Sequence, residues 1–253
     1  MQDAYVGDIG DFGKLTLLDH LAKDTGLSVG VVWHLVCEPA RTNDGRHRSY
    51  LDANLEPDPK LVRSCNPQLF DKFTELGFFR PVGHRVSMLQ EIFTDFTYFG
   101  ELCHKTPGGE FKSRLDWIAR ARKHLAGSEL IFFDPDNGIR FGKNKKALRK
   151  HVHEDELRAF WEDGKSLLIY HHLGRAKHEV DIAEIQNKLA ITCGISASDI
   201  FDFHFRRGTG RVYYFVPNPN SNRIRHAVET AKAKLEPLLW PLADWRKKHM
   251  QRI

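Results

Sequence analysis

Three apolar runs constrain this chain more than any other feature: VGVVWHLV at 29–36, LIFFD at 130–134 and LLIYH at 167–171. Each is continuous where a strand with one wet face would alternate. Each is therefore expected to be buried on both faces, as in a parallel sheet covered by helices. Between and after them apolar residues recur at helical spacing: Phe111, Leu115, Ile118 and Leu125, then Ile182, Ile185 and Leu189, then Ile224, Val228, Ala231 and Leu235. Strand and helix in alternation predict an α/β fold with a mostly parallel sheet flanked by helices. Near the end, IFDFHFRRGTGRVYYFVPNP holds two strand-like runs joined by RRGTGR, which predict a C-terminal antiparallel hairpin.

The 253 residues are expected to form one α/β domain, with a less legible insertion at about 38–105. Within the insertion, 67–76 is helix-like, and 84–88 and 97–102 read as short strands. Hydrophobic content of 41% and charged content of 28% exclude a disordered or fibrous class. No run of about 18 apolar residues is present. Met1 is followed by Gln2, Asp3 and Ala4, without the basic and apolar regions of a leader, so no membrane partner and a cytoplasmic location are expected. Cys37, Cys65, Cys103 and Cys193 are scattered without a C-x-x-C pair, which points to reduced thiols.

Charge directs attention to a partner. The net charge is +5, and the basic excess crowds 140–150 and the C-terminus, as expected for a chain that meets nucleic acid, DNA or RNA. Lys143, Lys145 and Lys146, with Arg206, Arg207 and Arg211 at the hairpin turn, are the candidate phosphate contacts. A solvated basic face accounts for the same pattern. The aromatic residues of the hairpin are expected in the sheet core in preference to a base-stacking platform.

Two stretches carry the candidate chemistry. VGDIGDFGK, residues 6–14, packs three glycines and two aspartates ahead of Leu15, Leu18 and Leu21, and is expected to be a loop that opens a helix. Such a loop can approach a ligand, with Lys14 meeting an anionic group. Helix capping by Asp8 and Asp11 is the plainer role. FFDPDNGI, residues 132–139, ends an apolar strand in Asp134 and turns at once, which puts a carboxylate at the carboxyl edge of the sheet where open α/β sheets bind ligands. A turn rich in Asp, Pro, Asn and Gly explains it without function.

The first of these stretches resembles the loop A-G-N-x-A-D-x-x-K of the bacterial 23S ribosomal RNA adenine-N6 methyltransferases of the RlmJ type. Gly7, Asp11 and Lys14 match outright; Asp8 stands for the asparagine and Gly10 for the alanine. The family's D-P-P-Y and its hairpin with a G-S-G turn before N-P-P are similar to Asp134-Pro135-Asp136-Asn137 and to GTG before VPNP, in the same order. The resemblance covers about two thirds of the chain by landmarks and implies a Rossmann-like fold, S-adenosylmethionine as cofactor and methyl transfer to nucleic acid. It implies Asp134, Asp136 and Asn137 as catalytic positions, and Gly7, Asp8, Asp11 and Lys14 as cofactor-binding ones. Two departures stand out: Asn137 replaces the aromatic that would stack on a flipped base, and CEPARTNDGRH after the first strand has Gly45 as its only glycine.

Without the resemblance, Asp8, Asp11, Asp134 and Asp136 are candidate ligands for Mg²⁺ or Mn²⁺ in a metal-dependent nuclease or phosphohydrolase. His171, one of two adjacent histidines at a strand end, is a candidate near the reacting water, and a capping or buried histidine is as good a description. Asp44, after the first strand, is a further residue expected to face the cleft. His151 and His153 fall in a basic segment expected to be helical. A third possibility, a nucleic-acid or nucleotide binding module without catalysis, follows from the missing glycine-rich turn.

Overall fold

The computed structural model describes residues 2–35, 47–52, 59–80, 83–103, 110–142, 150–173, 178–205, 210–218, 224–236 and 238–239. The apolar runs form strands β1 (Val29–Trp33), β3 (Leu130–Asp134) and β6 (Ser166–His172). With β2 (Thr97–Phe99), β7 (Phe201–Phe205) and β8 (Arg211–Val216) they make one six-stranded sheet in the order β2-β1-β3-β6-β8-β7. β2, β1, β3 and β6 are parallel; β8 runs antiparallel to β6 and to β7. The fold is α/β and Rossmann-like, a mostly parallel sheet closed by an antiparallel hairpin.

Continuous apolar strands imply two covered faces, and both cores are present. Val29, Val31, Trp33, Phe132 and Leu168 point into one, beneath α1 (Ile9–Thr25), α3 (Pro67–Glu75) and α8 (Ile224–Leu235). Val32, Ile131, Phe133, Leu167 and Ile169 point into the other, beneath α5 (Glu110–His124), α6 (Glu154–Glu162) and α7 (His178–Cys193). The hairpin aromatics Tyr213, Tyr214 and Phe215 are buried because β8 lies inside the sheet, and Phe203 and Phe205 of the edge strand β7 are buried in the first core. Cys65, Cys103 and Cys193 are buried thiols. Among the described residues no helix is long and apolar enough to cross a membrane.

Two local expectations are corrected. Residues 84–88 do not form a strand: α4 (Val86–Gln90) is a helix, whose first turn donates the Val86 N–H to Asp3 Oδ1 at 2.8 Å. That cap comes from 83 positions away, so local sequence could not announce it. The segment 151–153 is not helical: β5 (His151–His153) pairs in parallel with β4 (Gly138–Arg140) to form a separate two-stranded sheet. His153 then caps α6 by a capping box with Glu156. α2 (Pro59–Cys65) completes the α-helices among the described residues.

One buried ion pair joins this second layer. Arg114, on α5 and 3% exposed, donates through Nε and Nη2 to the two carboxylate oxygens of Glu156 on α6. It also donates through Nη2 to the His151 carbonyl at 2.9 Å, and it contacts Cys103 Sγ. Removing one partner leaves the other charge buried and uncompensated. Glu156→Ala is expected to lower the unfolding free energy by about 3–5 kcal/mol in chemical denaturation, whereas Arg114→Met with Glu156→Leu should lose much less. Equal losses in the two variants would show that packing, and not charge, is what the pair contributes.

Candidate functional site

The opening stretch forms a short loop and the first turns of α1, laid over the carboxyl ends of the central strands. Asp8 is the N-cap of α1, its Oδ1 accepting from the Asp11 N–H at 2.9 Å. Residues 9–18 are all buried, so α1 has no wet side over its first half. Lys14 lies inside, 4% exposed. Its Nζ is 2.6 Å from Asp11 Oδ1 and 2.7 Å from Asp134 Oδ2, and stands 5.1 Å from the centroid of the Trp33 ring. Asp11 also accepts from the Gly7 N–H at 3.0 Å.

The loop is gripped from outside as well. Arg48 donates to the carbonyls of Ala4 and Val6, Tyr50 Oη donates to the Gly7 carbonyl, and the Ile9 N–H donates to the His47 carbonyl. Arg211, at the start of β8, is 7% exposed and reaches the N-terminus of α1. A Cβ on Gly10 would lie 1.4 Å from Arg211 Nη1, and one on Gly13 would lie 2.7 Å from the Phe205 ring. These glycines admit the protein's own side chains, where the sequence suggested the approach of a ligand. Three carboxylates, Asp8, Asp11 and Asp134, are thus set among three cations, Lys14, Arg48 and Arg211.

Burial and this crowding shift the ionisable groups. Burial pushes Asp11 up, the Lys14 ammonium pulls against it, and Asp8 and Asp134 push further, for a value of about 6. Burial alone would lower Lys14, but Asp11 and Asp134 override it and hold the ammonium charged. For Arg211 burial is likewise overridden, chiefly by Asp8.

The four aspartates do not assemble as metal ligands. The Lys14 ammonium occupies the place between Asp11 and Asp134 that a cation would take, and Asp8 caps the helix. Asp136 turns away to accept from Gln2 Nε2, with Lys150 Nζ at 3.8 Å. Among the described residues no group of three or more His, Cys, Asp and Glu could hold a metal ion. Asn137 is exposed and donates its backbone N–H to the Lys150 carbonyl at 2.8 Å.

His171 does not join Asp134. In the register of β3 and β6, Phe133 faces Ile169, so Tyr170 shares the face of Asp134 and His171 points to the opposite one, 6.3 Å from the Tyr214 ring. Its Nδ1 accepts the Ile139 N–H at 3.0 Å and fastens β4 to the end of β6. Burial, followed by the nearby His151 and His172, lowers its pKa to about 4.

Arg211, expected as a surface phosphate contact, is instead buried against α1. Asp44, Lys143, Lys145, Lys146, Arg206 and Arg207 lie outside the described residues. Trp33, Arg48, Tyr50, Tyr170 and Tyr213 also pack around Lys14 and the loop; Tyr213 is expected only in the sheet core, and the others carry no local signal of this role. A scan of protein-family models and a search of curated proteins find no match to this chain.

Two predictions follow from this geometry. Lys14→Met leaves two buried carboxylates facing each other, so it should cost about 3–5 kcal/mol of stability, and adding Asp11→Asn should restore part of it. A Lys14→Met protein that melts like the parent would mean that the ammonium contributes nothing to the fold. The second concerns pH. His171 falls from 6.5 unfolded to about 4 folded, so its contribution is full above 6.5 and is lost as the pH falls towards 4. Asp11 rises from 3.8 to about 6, so its contribution is present at low pH and is lost as the pH rises through that window. Stability measured between pH 4 and 6.5 should therefore fall more steeply with acid in Asp11→Asn and less steeply in His171→Asn; parallel curves would contradict both assignments.

Proposed function

We propose that the protein is a methyltransferase-like enzyme that uses S-adenosylmethionine and acts on nucleic acid, DNA or RNA. The observation that carries this reading is the meeting of the two stretches that resemble the RlmJ-type family. Their matched residues Lys14 and Asp134, 120 positions apart, are bonded to each other at the carboxyl edge of the sheet, and Asp11, also matched, holds Lys14 from the other side. A mostly parallel sheet ending in an antiparallel hairpin is the arrangement that the resemblance implies.

The residues present fit the cofactor only in part. Gly7, Asp8, Asp11 and Lys14 bond to one another or to neighbouring protein groups, so they shape the floor of such a site and do not grip a donor. The buried indole Nε1 of Trp33, at the carboxyl end of β1, has no hydrogen-bond partner among the described residues, and this supports a polar ligand at that end of the strand. In this reading Lys14 fixes one oxygen of Asp134, and the carboxylate orients the acceptor amine.

The closure of Asp134 by Lys14, with Asn137 where an aromatic would stack, favours a second reading as a binding module without transfer.

Titration with S-adenosylmethionine and S-adenosylhomocysteine by calorimetry, followed by transfer of a labelled methyl group to RNA and to DNA, separates these readings. Binding of both ligands with transfer is expected, and Asp134→Asn should abolish transfer while donor affinity stays within about threefold. Absence of binding removes the methyltransferase; binding without transfer to either nucleic acid moves the protein to the second reading. Replacing Lys143, Lys145 and Lys146 together should flatten the salt dependence of nucleic-acid binding by about two log units per log of salt, and an unchanged slope would exclude that segment from the contact.

A further inference from the structure

A cavity of about 690 Å³ opens beside β2, and none of the residues that hold Lys14 lines it. β2 is the outermost strand of the sheet and pairs with β1 on one side. Across the cavity the C-terminal part of α5 contributes Arg120, Lys123 and His124, whose i, i+3, i+4 spacing sets all three on one face. Glu101 is the one carboxylate among the described lining residues, and it accepts from Arg120 Nε at 2.9 Å. Both side chains of that pair are about half exposed, so the bond is weak and can be exchanged for a ligand oxygen. Lys123 has no carboxylate partner among the described residues, and His124 rests 6.0 Å from the ring of Phe99. Tyr98, Phe99 and the Gln90 amide complete a wall that is part aromatic and part hydrogen-bonding.

A nearby run of cations at a helix C-terminus is favoured by the helix dipole alone. Here the same three side chains also converge on a cavity within the size range of small-molecule sites, with one carboxylate against three basic groups. Several N–H donors gathered within one helical turn suit a single compact dianion, which takes charge-assisted bonds from each. A nucleic-acid strand would instead present single charges in file. We propose that this cavity binds a phosphate monoester of mononucleotide size, with the phosphate held by Arg120, Lys123 and His124 and the remainder against Tyr98. The proposal does not rest on the methyltransferase reading.

Calorimetric titration of the full chain with AMP, adenosine and inorganic phosphate tests it. AMP should bind and inorganic phosphate should compete with it, whereas adenosine should bind at least about tenfold more weakly. Lys123→Met, at an exposed position, should weaken AMP about tenfold and leave the melting temperature unchanged. S-adenosylhomocysteine should not displace AMP, which keeps this site distinct from a methyl-donor site. No AMP binding at millimolar concentration, equal affinity for adenosine, AMP affinity unaltered by Lys123→Met, or displacement of AMP by S-adenosylhomocysteine or by a single-stranded oligonucleotide would each overturn the assignment.

Discussion

A lysine ammonium buried between two carboxylates holds the first turn of the chain to the middle of the sheet. Lys14 bonds Asp11 on its own helix and Asp134 at the end of β3, and it does so where water is excluded and where a charge left alone would be very costly. The geometry of the surrounding residues follows from this. α1 can be buried on all sides over its first half because its one interior cation is neutralised on the spot. Its N-terminal loop can lie flat over the strand ends because Arg48, Tyr50 and His47 take up the backbone groups there. Gly10 is required because Arg211 fills the space a side chain would occupy.

The legible part of the fold was the part dictated by local pattern. β1, β3 and β6 follow from apolar runs without alternation, and α3, α7 and α8 from helical spacing, because burial on two faces or on one leaves its period in the sequence; α5 forms too, but Leu115 of its expected apolar face is exposed, and Trp117 and Ala121 are buried beside Ile118. What escaped depended on distant partners. α4 begins where Asp3 caps it across the chain, and β5 is a strand only because β4 lies beside it. His-Val-His carries no strong preference of its own, and its neighbour in space decided the outcome.

The candidate site was legible as a set of residue types and illegible as a set of roles. Asp8, Asp11, Lys14 and Asp134 were all singled out, and all belong to one charged knot. Their pairing could not be read, since acidic residues in a glycine-rich loop suit a metal, a cofactor or a buried lysine equally well until the register and the tilt of α1 are known. The same holds for His171. Strand periodicity established that adjacent histidines face opposite ways, and only the pairing of β3 with β6 decided that Asp134 shares its face with Tyr170. Arg211 shows the reverse error: basic residues at a hairpin turn suggested the surface, but β8 sits inside the sheet and carries its first residue inward.

The charged knot also limits what chemistry the sheet edge can perform. A carboxylate whose oxygen is held at 2.7 Å by a buried ammonium is fixed in orientation by that bond. It remains a good fixed acceptor of a hydrogen bond, since its orientation is already determined and no solvent must reorganise. In the proposed reading Asp134 therefore orients a donor group such as an amine. On the helix side of the clamp, burial, opposed by Lys14, raises Asp11 to about 6. Its protonation would weaken one side of the clamp on Lys14 and shift the ammonium's attraction towards Asp134. The clamp thus joins a carboxylate at the sheet edge to one on the helix through a single ammonium.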